Sequence, residues 1–169
     1  MEANRRLFVL LRSSQLGISS ETAHVDAFTV NWSGPLTYCF PPFSLLVRCL
    51  QKIVMDQAEC IVLIPNWPTQ PYYSKVMEML VSQPLVLPCQ PQLLQLAHDP
   101  HRRHPLFSKL QLLACKLSGN PLRAKTFQDS LPTLSSHLGA QEHRSSIKPM
   151  STSGLTAVVK GKWIRFIPL

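Results

Sequence analysis

Two short proline-rich stretches contain the residues best suited to chemistry. "FPPF" (40–43) ends the apolar run "LTYCF" (36–40), and "PNWPTQP" (65–71) follows the apolar run "CIVLI" (60–64). Prolines end strands because they cannot donate to a β-ladder. They also hold neighbouring aromatic rings in place, and the carboxyl ends of strands are where open α/β sheets bind ligands. The pattern therefore has two interpretations, strand termination and a ligand site.

The elements that must position these stretches alternate between strand and helix. After the first run, Ser44 is suited to cap a helix, and apolar residues then recur at three-and-four spacing as far as Val54. The second run is typical of a strand buried on both faces; a helical stripe over 72–81 and a strand at 84–88 follow. This alternation predicts parallel strands joined by right-handed crossovers. Both proline-rich stretches should then share one rim of the sheet.

The rest of the chain is less regular. Leucines spaced along one face predict a helix over 106–117, with Gly119 as its stop. Residues 119–153 are rich in Ser, Gln, Pro and basic residues and poor in large apolar groups, which predicts a largely disordered basic linker. Residues 154–169 are β-prone; they indicate either a hairpin around Lys160 and Gly161 or the beginning of a further domain.

The charge of the chain is uneven. The net charge is +8, and from Arg102 onward there are eleven Lys and Arg against only Asp129 and Glu142. A sparse cationic segment attracts polyanions such as nucleic acids without sequence preference. It is also what a simple solvated tail contains, so charge alone does not decide between the two.

The cysteines and the apolar segments narrow the class of protein. Five cysteines, never closer than ten residues, lack the short spacing of zinc or redox motifs and are expected to be buried thiols of an intracellular protein. No apolar stretch reaches the length of a transmembrane helix, so we expect no membrane partner. The short apolar run at 7–11 is followed by no small-residue cleavage site, and we do not expect export.

In combination these motifs resemble a known family. "VDAF" (25–28), "FPPF" (40–43), "PNWPTQP" (65–71) and "KLSG" (116–119), in this order, resemble a region of DIRS-type, tyrosine-recombinase retrotransposon polyproteins. That region lies between the reverse transcriptase/ribonuclease H part and the recombinase, and it is similar to phage-type DNA adenine methyltransferases. The resemblance covers residues 25–118, more than half of the chain.

The resemblance implies roles for the first stretch. In the methyltransferases a strand ends in Asp, Asn or Ser, then two prolines, then Tyr or Phe, and this motif holds an adenine flipped out of the duplex. The carbonyl of Pro41 would accept a hydrogen bond from the adenine amino group, Phe43 would stack on the base, and Pro42 would stiffen the turn. Phe40 stands where the family has its polar acceptor, and a benzene ring cannot replace it. Losing such a contact costs ~10²-fold in rate, so the resemblance implies a vestigial site.

The resemblance also concerns the cofactor. The family binds S-adenosylmethionine beside an acidic strand near its N-terminus, whereas "NRRLFVLLRSSQ" (4–15) resembles the sequence just after that strand. Asp26 would be a remnant polar group at the cofactor side; the alternative is an ordinary carboxylate in a loop or at a strand start. We therefore expect no cofactor, and S-adenosylmethionine only if the chain is an active methyltransferase.

Other residues are candidates for contact with nucleic acid. Trp67 and Tyr72 could stack on bases or cover the core, and Asn66 could bond a base edge or hold a turn. Arg102, Arg103, Lys109 and Lys116 could contact phosphates.

Several activities lack the residues that they require. "HDPHRRH" (98–104) contains three imidazoles, but Pro100 and Pro105 prevent the helix that would align them, so we expect no metal. No G-x-S-x-G elbow is present, and the chain lacks the clustered carboxylates of polymerases and ribonuclease H.

The expected fold is α/β: a partial Rossmann-like three-layer module with a short parallel sheet, plus a largely disordered basic C-terminal segment. The expected divisions are a remnant segment at 1–24, a truncated methyltransferase-like module at 25–118, the linker at 119–153 and the β-prone segment at 154–169. The expected role is DNA association within retrotransposon integration and recombination, together with the parent polyprotein domains and in the nucleus. The alternatives are an active DNA adenine methyltransferase and a protein-interaction scaffold.

Overall fold

The computed structural model describes residues 27–88, 110–133 and 155–169 in full, and the backbone alone at 8–10, 95–96 and 99–103. It contains three α-helices and ten strands within these residues. The helices are α1 (Leu46–Met55), α2 (Pro71–Glu78) and α3 (Pro121–Ser130). The strands are β1 (Phe8–Leu10), β2 (Thr37–Phe40), β3 (Glu59–Pro65), β4 (Leu85–Val86), β5 (Gln95–Leu96), β6 (Asp99–Arg103), β7 (Leu112–Ser118), β8 (Thr156–Val159), β9 (Lys162–Arg165) and β10 (Ile167–Pro168).

The main sheet is mixed. Six strands lie in the order β1-β2-β3-β7-β4-β10, while β5-β6 and β8-β9 form separate two-stranded ladders. Strands β2 and β3 are parallel neighbours, as predicted, and β10 is parallel to β4. Strand β7 is antiparallel to both β3 and β4, and β1 is antiparallel to β2. Consequently β2, β3 and β4 run in one direction, but a reversed strand separates β3 from β4.

One face of this sheet is fully buried. Helices α1 and α2 pack against each other and against this face, which is formed by Cys39, Cys60, Val62, Ile64, Leu113, Cys115 and Leu117. The predicted apolar stripe of α1 is largely correct, because Leu46, Cys49, Leu50 and Ile53 are buried. The predicted stripe of α2 is buried as well and extends to Tyr73 and Met77. Burial of these two stripes is what attaches the helices to the sheet.

The predicted helix over 106–117 is wrong, because residues 112–118 form strand β7. Leu112–Ser118 pairs over seven residues with Glu59–Pro65 on one side and over two residues with β4 on the other. A short buried apolar run cannot be assigned to a strand or a helix by its periodicity alone. Its place between two strands supplies backbone hydrogen-bond partners on both edges, and this tertiary pairing overrides helix propensity.

Two further expectations are changed by the structure. The predicted linker at 119–153 contains helix α3, whose N-cap Asn120 accepts a hydrogen bond from the N–H of Leu122. Ser44 caps no helix; it lies inside a single 3-10 turn, Phe43–Leu45, that leads into α1.

The C-terminal hairpin agrees with the sequence. Strands β8 and β9 pair around Lys160 and Gly161, whose φ angles of 50° and 73° suit the two-residue turn that such hairpins favour. The next strand, β10, then extends the main sheet, and Phe166 and Ile164 are buried in its core. The C-terminal residues are therefore part of the α/β fold.

The expected fold class is confirmed at the level of a mixed α/β protein. None of the helices in the described segments is both long and apolar enough to cross a membrane.

Candidate functional site

The two proline-rich stretches meet at one rim of the sheet, as the sequence predicts. Strands β2 and β3 are parallel and in direct register, with Thr37 opposite Cys60 and Cys39 opposite Val62. Their carboxyl ends therefore lie side by side. We call residues 40–43 and 66–70, which leave these two ends, the aromatic rim.

Phe43 and Trp67 are in contact across the aromatic rim. Their ring centroids lie 5.2 Å apart and their planes are inclined by 76°, an edge-to-face arrangement. Both side chains are only partly buried. Such a pair contributes about 0.5–1.5 kcal/mol beyond the area it buries. The contact joins the loop after β2 to the loop after β3 and keeps two aromatic rings at the surface.

The prolines fix the position of Phe43. Pro41 is buried, and Pro42 adopts an extended conformation with φ −52° and ψ 140°. The carbonyl oxygen of Pro42 accepts a hydrogen bond of 2.8 Å from the N–H of Leu45, which closes the turn that begins at Phe43. The phenyl ring is therefore held by a short closed turn between strand and helix.

Phe40 occupies the last position of β2 and is partly buried. Its side chain has no hydrogen-bonding atom. The end of β2 therefore presents hydrocarbon, next to the two prolines and the ring of Phe43.

Asn66 has a structural role in the loop after β3. The hydroxyl of Tyr73 donates a hydrogen bond of 3.0 Å to Asn66 Oδ1, and Asn66 Nδ2 donates one of 2.6 Å to Gln111 Oε1. The backbone N–H of Asn66 also donates to the Gln111 carbonyl at 2.8 Å. These bonds tie the loop to the beginning of β7 and support the turn role, one of the two that the sequence left open for Asn66.

Tyr72 is a core residue rather than a surface platform. Its side chain is buried, and its hydroxyl donates a hydrogen bond of 3.3 Å to the Pro65 carbonyl. Burial raises the pKa of Tyr72 to about 12 and raises the pKa of Tyr73 as well, so both phenols stay protonated at neutral pH. The two tyrosines support the aromatic rim from beneath.

Of the predicted basic contacts, only Lys116 belongs to the fully described residues, and it does not lie at the aromatic rim. Lys116 lies near the end of β7 farther from the rim, with its ammonium 3.9 Å from a carboxylate oxygen of Glu59. Asp26 and Lys109 lie outside the described residues, and for Arg102 and Arg103 the structure describes only the backbone, in β6.

Arg48 is an exposed cation that the sequence analysis did not single out, and its guanidinium is occupied by an aromatic ring. Arg48, in the first turn of α1, places its guanidinium carbon 4.0 Å from the centroid of the Phe28 ring, a cation–π contact. Phe28 in turn stacks against the buried Trp32 at 6.0 Å. In the sequence, only the position of Arg48 shortly after "FPPF" could have indicated that it lies near Phe28.

The described cysteines offer no nucleophile. Cys39, Cys49, Cys60 and Cys115 are free and buried, as expected, and Cys89 lies outside the described residues. Burial raises the pKa of Cys60 and of Cys115 to about 12 each. A hydrogen bond with Cys49, and then burial, raise the pKa of Cys39. The thiols of Cys39, Cys60 and Cys115 are therefore protonated at neutral pH and unreactive.

The fully described segments contain no group of three His, Cys, Asp or Glu side chains arranged to hold a metal ion. What the aromatic rim can do chemically is to offer partly exposed rings and proline carbonyls to a flat ligand. Comparison of the chain with protein-family models, curated proteins and solved structures finds no match.

Proposed function

We propose that this chain is a nucleic-acid-binding segment derived from a DIRS-type retrotransposon polyprotein, and that it does not itself catalyse methyl transfer. The observation that supports the proposal best is the contact between Phe43 and Trp67, 5.2 Å apart, where two parallel strands end together. In this proposal the segment acts beside the parent polyprotein domains in DNA integration and recombination, in the nucleus.

The chemistry of the aromatic rim suits nucleobases. Residues 40–43 and 66–70 carry no charged side chain, and Phe43 and Trp67 are only partly buried. Stacking a base on an aromatic side chain is worth about 1–3 kcal/mol and requires no particular base, because every base has a π-face. The basic residues from Arg102 onward would attract the phosphates.

Phe40 is the reason to propose binding without catalysis. Methyl transfer to an adenine amino group needs a hydrogen-bond acceptor where this chain has a phenyl ring. The second candidate function, an active DNA adenine methyltransferase, is favoured by Pro41, Pro42 and Phe43 standing in the family order at a strand end. Incubation with DNA and labelled S-adenosylmethionine separates the two. Turnover that disappears in Phe43→Ala would establish the methyltransferase.

Binding of single-stranded DNA tests the proposed function directly. A fluorescent 15-base strand and an abasic strand of equal length are titrated with wild type, Trp67→Ala and Trp163→Ala, and anisotropy is measured. We expect Trp67→Ala to weaken binding of the base-containing strand by about 5- to 150-fold, the equivalent of 1–3 kcal/mol. Trp163→Ala is the matched control, because Trp163 lies on β9, outside the aromatic rim.

The abasic strand and the salt dependence complete this test. Trp67→Ala should leave abasic binding unchanged, and Trp67→Phe should retain most of the affinity for bases because it retains a ring. Equal binding by wild type and Trp67→Ala would disprove the role of the aromatic rim. Wild-type binding that does not weaken between low and high salt would argue against the cationic contribution and for the third candidate, a protein-interaction scaffold.

A further inference from the structure

A concave region lies at the other ends of the strands, opposite the aromatic rim. Strand β7 runs antiparallel to β3, so its last residue, Ser118, lies beside Glu59 at the start of β3. A cavity of about 630 Å³ opens there between the ends of α1 and α2, helix α3 and the β8–β9 turn. Its charged lining residues are Lys75, Lys125, Lys160, Lys162, Glu78 and Asp129. We call this region the lysine cleft.

Positive charge dominates the lysine cleft. Four ammonium groups face two carboxylates, an excess of two positive charges. Glu78 is engaged by Lys160, with 3.3 Å between Oε1 and Nζ, and Lys162 donates a hydrogen bond of 3.0 Å to Thr133 Oγ1. Lys75 and Lys125 are exposed and form no ion pair with any residue of the described segments. Two cations therefore line the cavity without an ion-pair partner among the residues that the structure describes.

Three separate parts of the fold bring these four lysines together. Lys75 lies in the last turn of α2, where helix carbonyls favour a cation, and Lys125 lies on α3. Lys160 and Lys162 come from the C-terminal hairpin, more than thirty residues farther along the chain. Lysines that serve only to keep a protein soluble can be spread over its surface. Binding an anion from several sides requires lysines that converge on one place, as these do.

The size and chemistry of the cavity favour phosphate. A volume of about 630 Å³ is in the range of small-ligand sites and accommodates a nucleoside polyphosphate or a short length of strand backbone. Lysine ammoniums bind phosphate oxygens as point charges and donate three hydrogen bonds each. Among the described residues that line the cavity, none is aromatic and able to stack on a base.

We propose that the lysine cleft is a phosphate-binding site in which Lys75 and Lys125 are the principal contacts. Its ligand is either the backbone of a nucleic acid strand or a free polyphosphate. This site is separate from the aromatic rim, because it requires no base and lies at the opposite ends of the strands.

Calorimetric titration of the full chain with three probes tests the proposal. The probes are pyrophosphate, adenosine triphosphate and an abasic 12-residue strand, each at low salt. We expect Lys75→Gln/Lys125→Gln to weaken the binding of at least one probe by about tenfold. The matched control is Arg48→Gln/Arg165→Gln, which removes two positive charges outside the cleft and should change affinity less than about twofold.

The probes also identify the source of the phosphate. Binding of the abasic strand, with a salt slope that falls by about 1.4 in the lysine variant, assigns the cleft to strand backbone. Binding of pyrophosphate and adenosine triphosphate without the strand assigns it to free polyphosphates. Equal weakening by both double variants, or no binding of any probe by folded wild type, would overturn the proposal.

A second variant guards against loss of folding. Lys125→Glu changes one exposed side chain on α3 and reverses its charge. It should weaken binding at least as much as the double variant does, with unchanged circular dichroism. Because pyrophosphate and the abasic strand contain no base, the results with these two probes do not depend on whether Trp67 binds bases.

Discussion

The two ends of the central strands, the aromatic rim and the lysine cleft, carry side chains of different chemical types. The aromatic rim carries aromatic, proline and amide side chains and is held by neutral hydrogen bonds among Asn66, Tyr73 and Gln111. At the opposite end, ion pairs join Lys160 to Glu78 and Lys52 to Asp56 near the lysine cleft. The same sheet thus presents π-surface at one end and charge at the other.

This difference suggests a division of labour. Stacking on the aromatic rim should be insensitive to salt and should require bases, whereas contacts in the lysine cleft should weaken with salt and require only phosphates. The ends also differ in how their backbone is held. Substitutions at three positions test the contacts that hold the backbone at each end, and they are given from the largest expected effect to the smallest.

Substitution of Gly119 should disrupt the lysine cleft most strongly. A Cβ atom at this position would collide with the carbonyl oxygen of Ile53 and lie 2.9 Å from Gln57 Cα, so the backbone of α1 and β7 would have to separate. We expect Gly119→Ala to lower the free energy of unfolding by about 3 kcal/mol in chemical denaturation. Gly161→Asn is the control and should cost less, about 1 kcal/mol, because none of the described residues lies within 4 Å of its Cβ and only the φ of +73° is unfavourable. Equal losses in both variants would contradict the close approach at Gly119.

Removal of one hydroxyl should loosen the aromatic rim. Tyr73→Phe deletes the hydrogen bond of 3.0 Å to Asn66 Oδ1 and should cost about 1 kcal/mol of unfolding free energy. Tyr72→Phe is the matched control, because Tyr72 is equally buried and its bond to Pro65 is longer, at 3.3 Å. A larger loss from Tyr72→Phe than from Tyr73→Phe would show that the Asn66 network does not hold this rim.

The smallest effect should depend on pH. Burial alone would raise the pKa of Asp56, but hydrogen bonds from Lys52 and from the N–H of Trp32, together with the charge of Lys52, outweigh burial and lower it. The unfolded chain therefore binds this proton at a higher pH than the folded protein does. The stabilisation is present above the unfolded pKa of about 4 and is lost as the pH falls through the folded pKa.

Denaturation of wild type and Asp56→Asn across this range measures that contribution. We expect Asp56→Asn to be less stable by about 0.5 kcal/mol at pH 7 and the difference to shrink towards zero in acid. Asp129→Asn, an exposed carboxylate on α3, should follow wild type throughout. A difference between Asp56→Asn and wild type that stays constant with pH would contradict the depressed pKa.

The aromatic rim was predictable from the sequence because its signals are local. Prolines after "LTYCF" and after "CIVLI" define strand ends, and two adjacent parallel strands must end at the same rim of the sheet. The contact between Phe43 and Trp67 follows from that placement. The hydrogen bonds of Asn66 were less accessible, since its partner Gln111 is 45 residues away in sequence.

The lysine cleft was not predictable, and neither was strand β7. Lys75 and Lys162 look like isolated charges in sequence, and only the folding of the hairpin beside α2 and α3 brings them to one cavity. Residues 112–118 have an apolar pattern that fits a helix or a strand. Pairing with β3 and β4 is what makes this segment a strand.

Local physical chemistry in the sequence determined which segments form α1, α2, β2 and β3, because apolar spacing and proline positions act over a few residues. Tertiary structure alone decided that β7 separates β3 from β4 and that β10 completes the sheet. The reason is that a strand is stabilised by the partners on its two edges, and the partners of β7 lie tens of residues away along the chain.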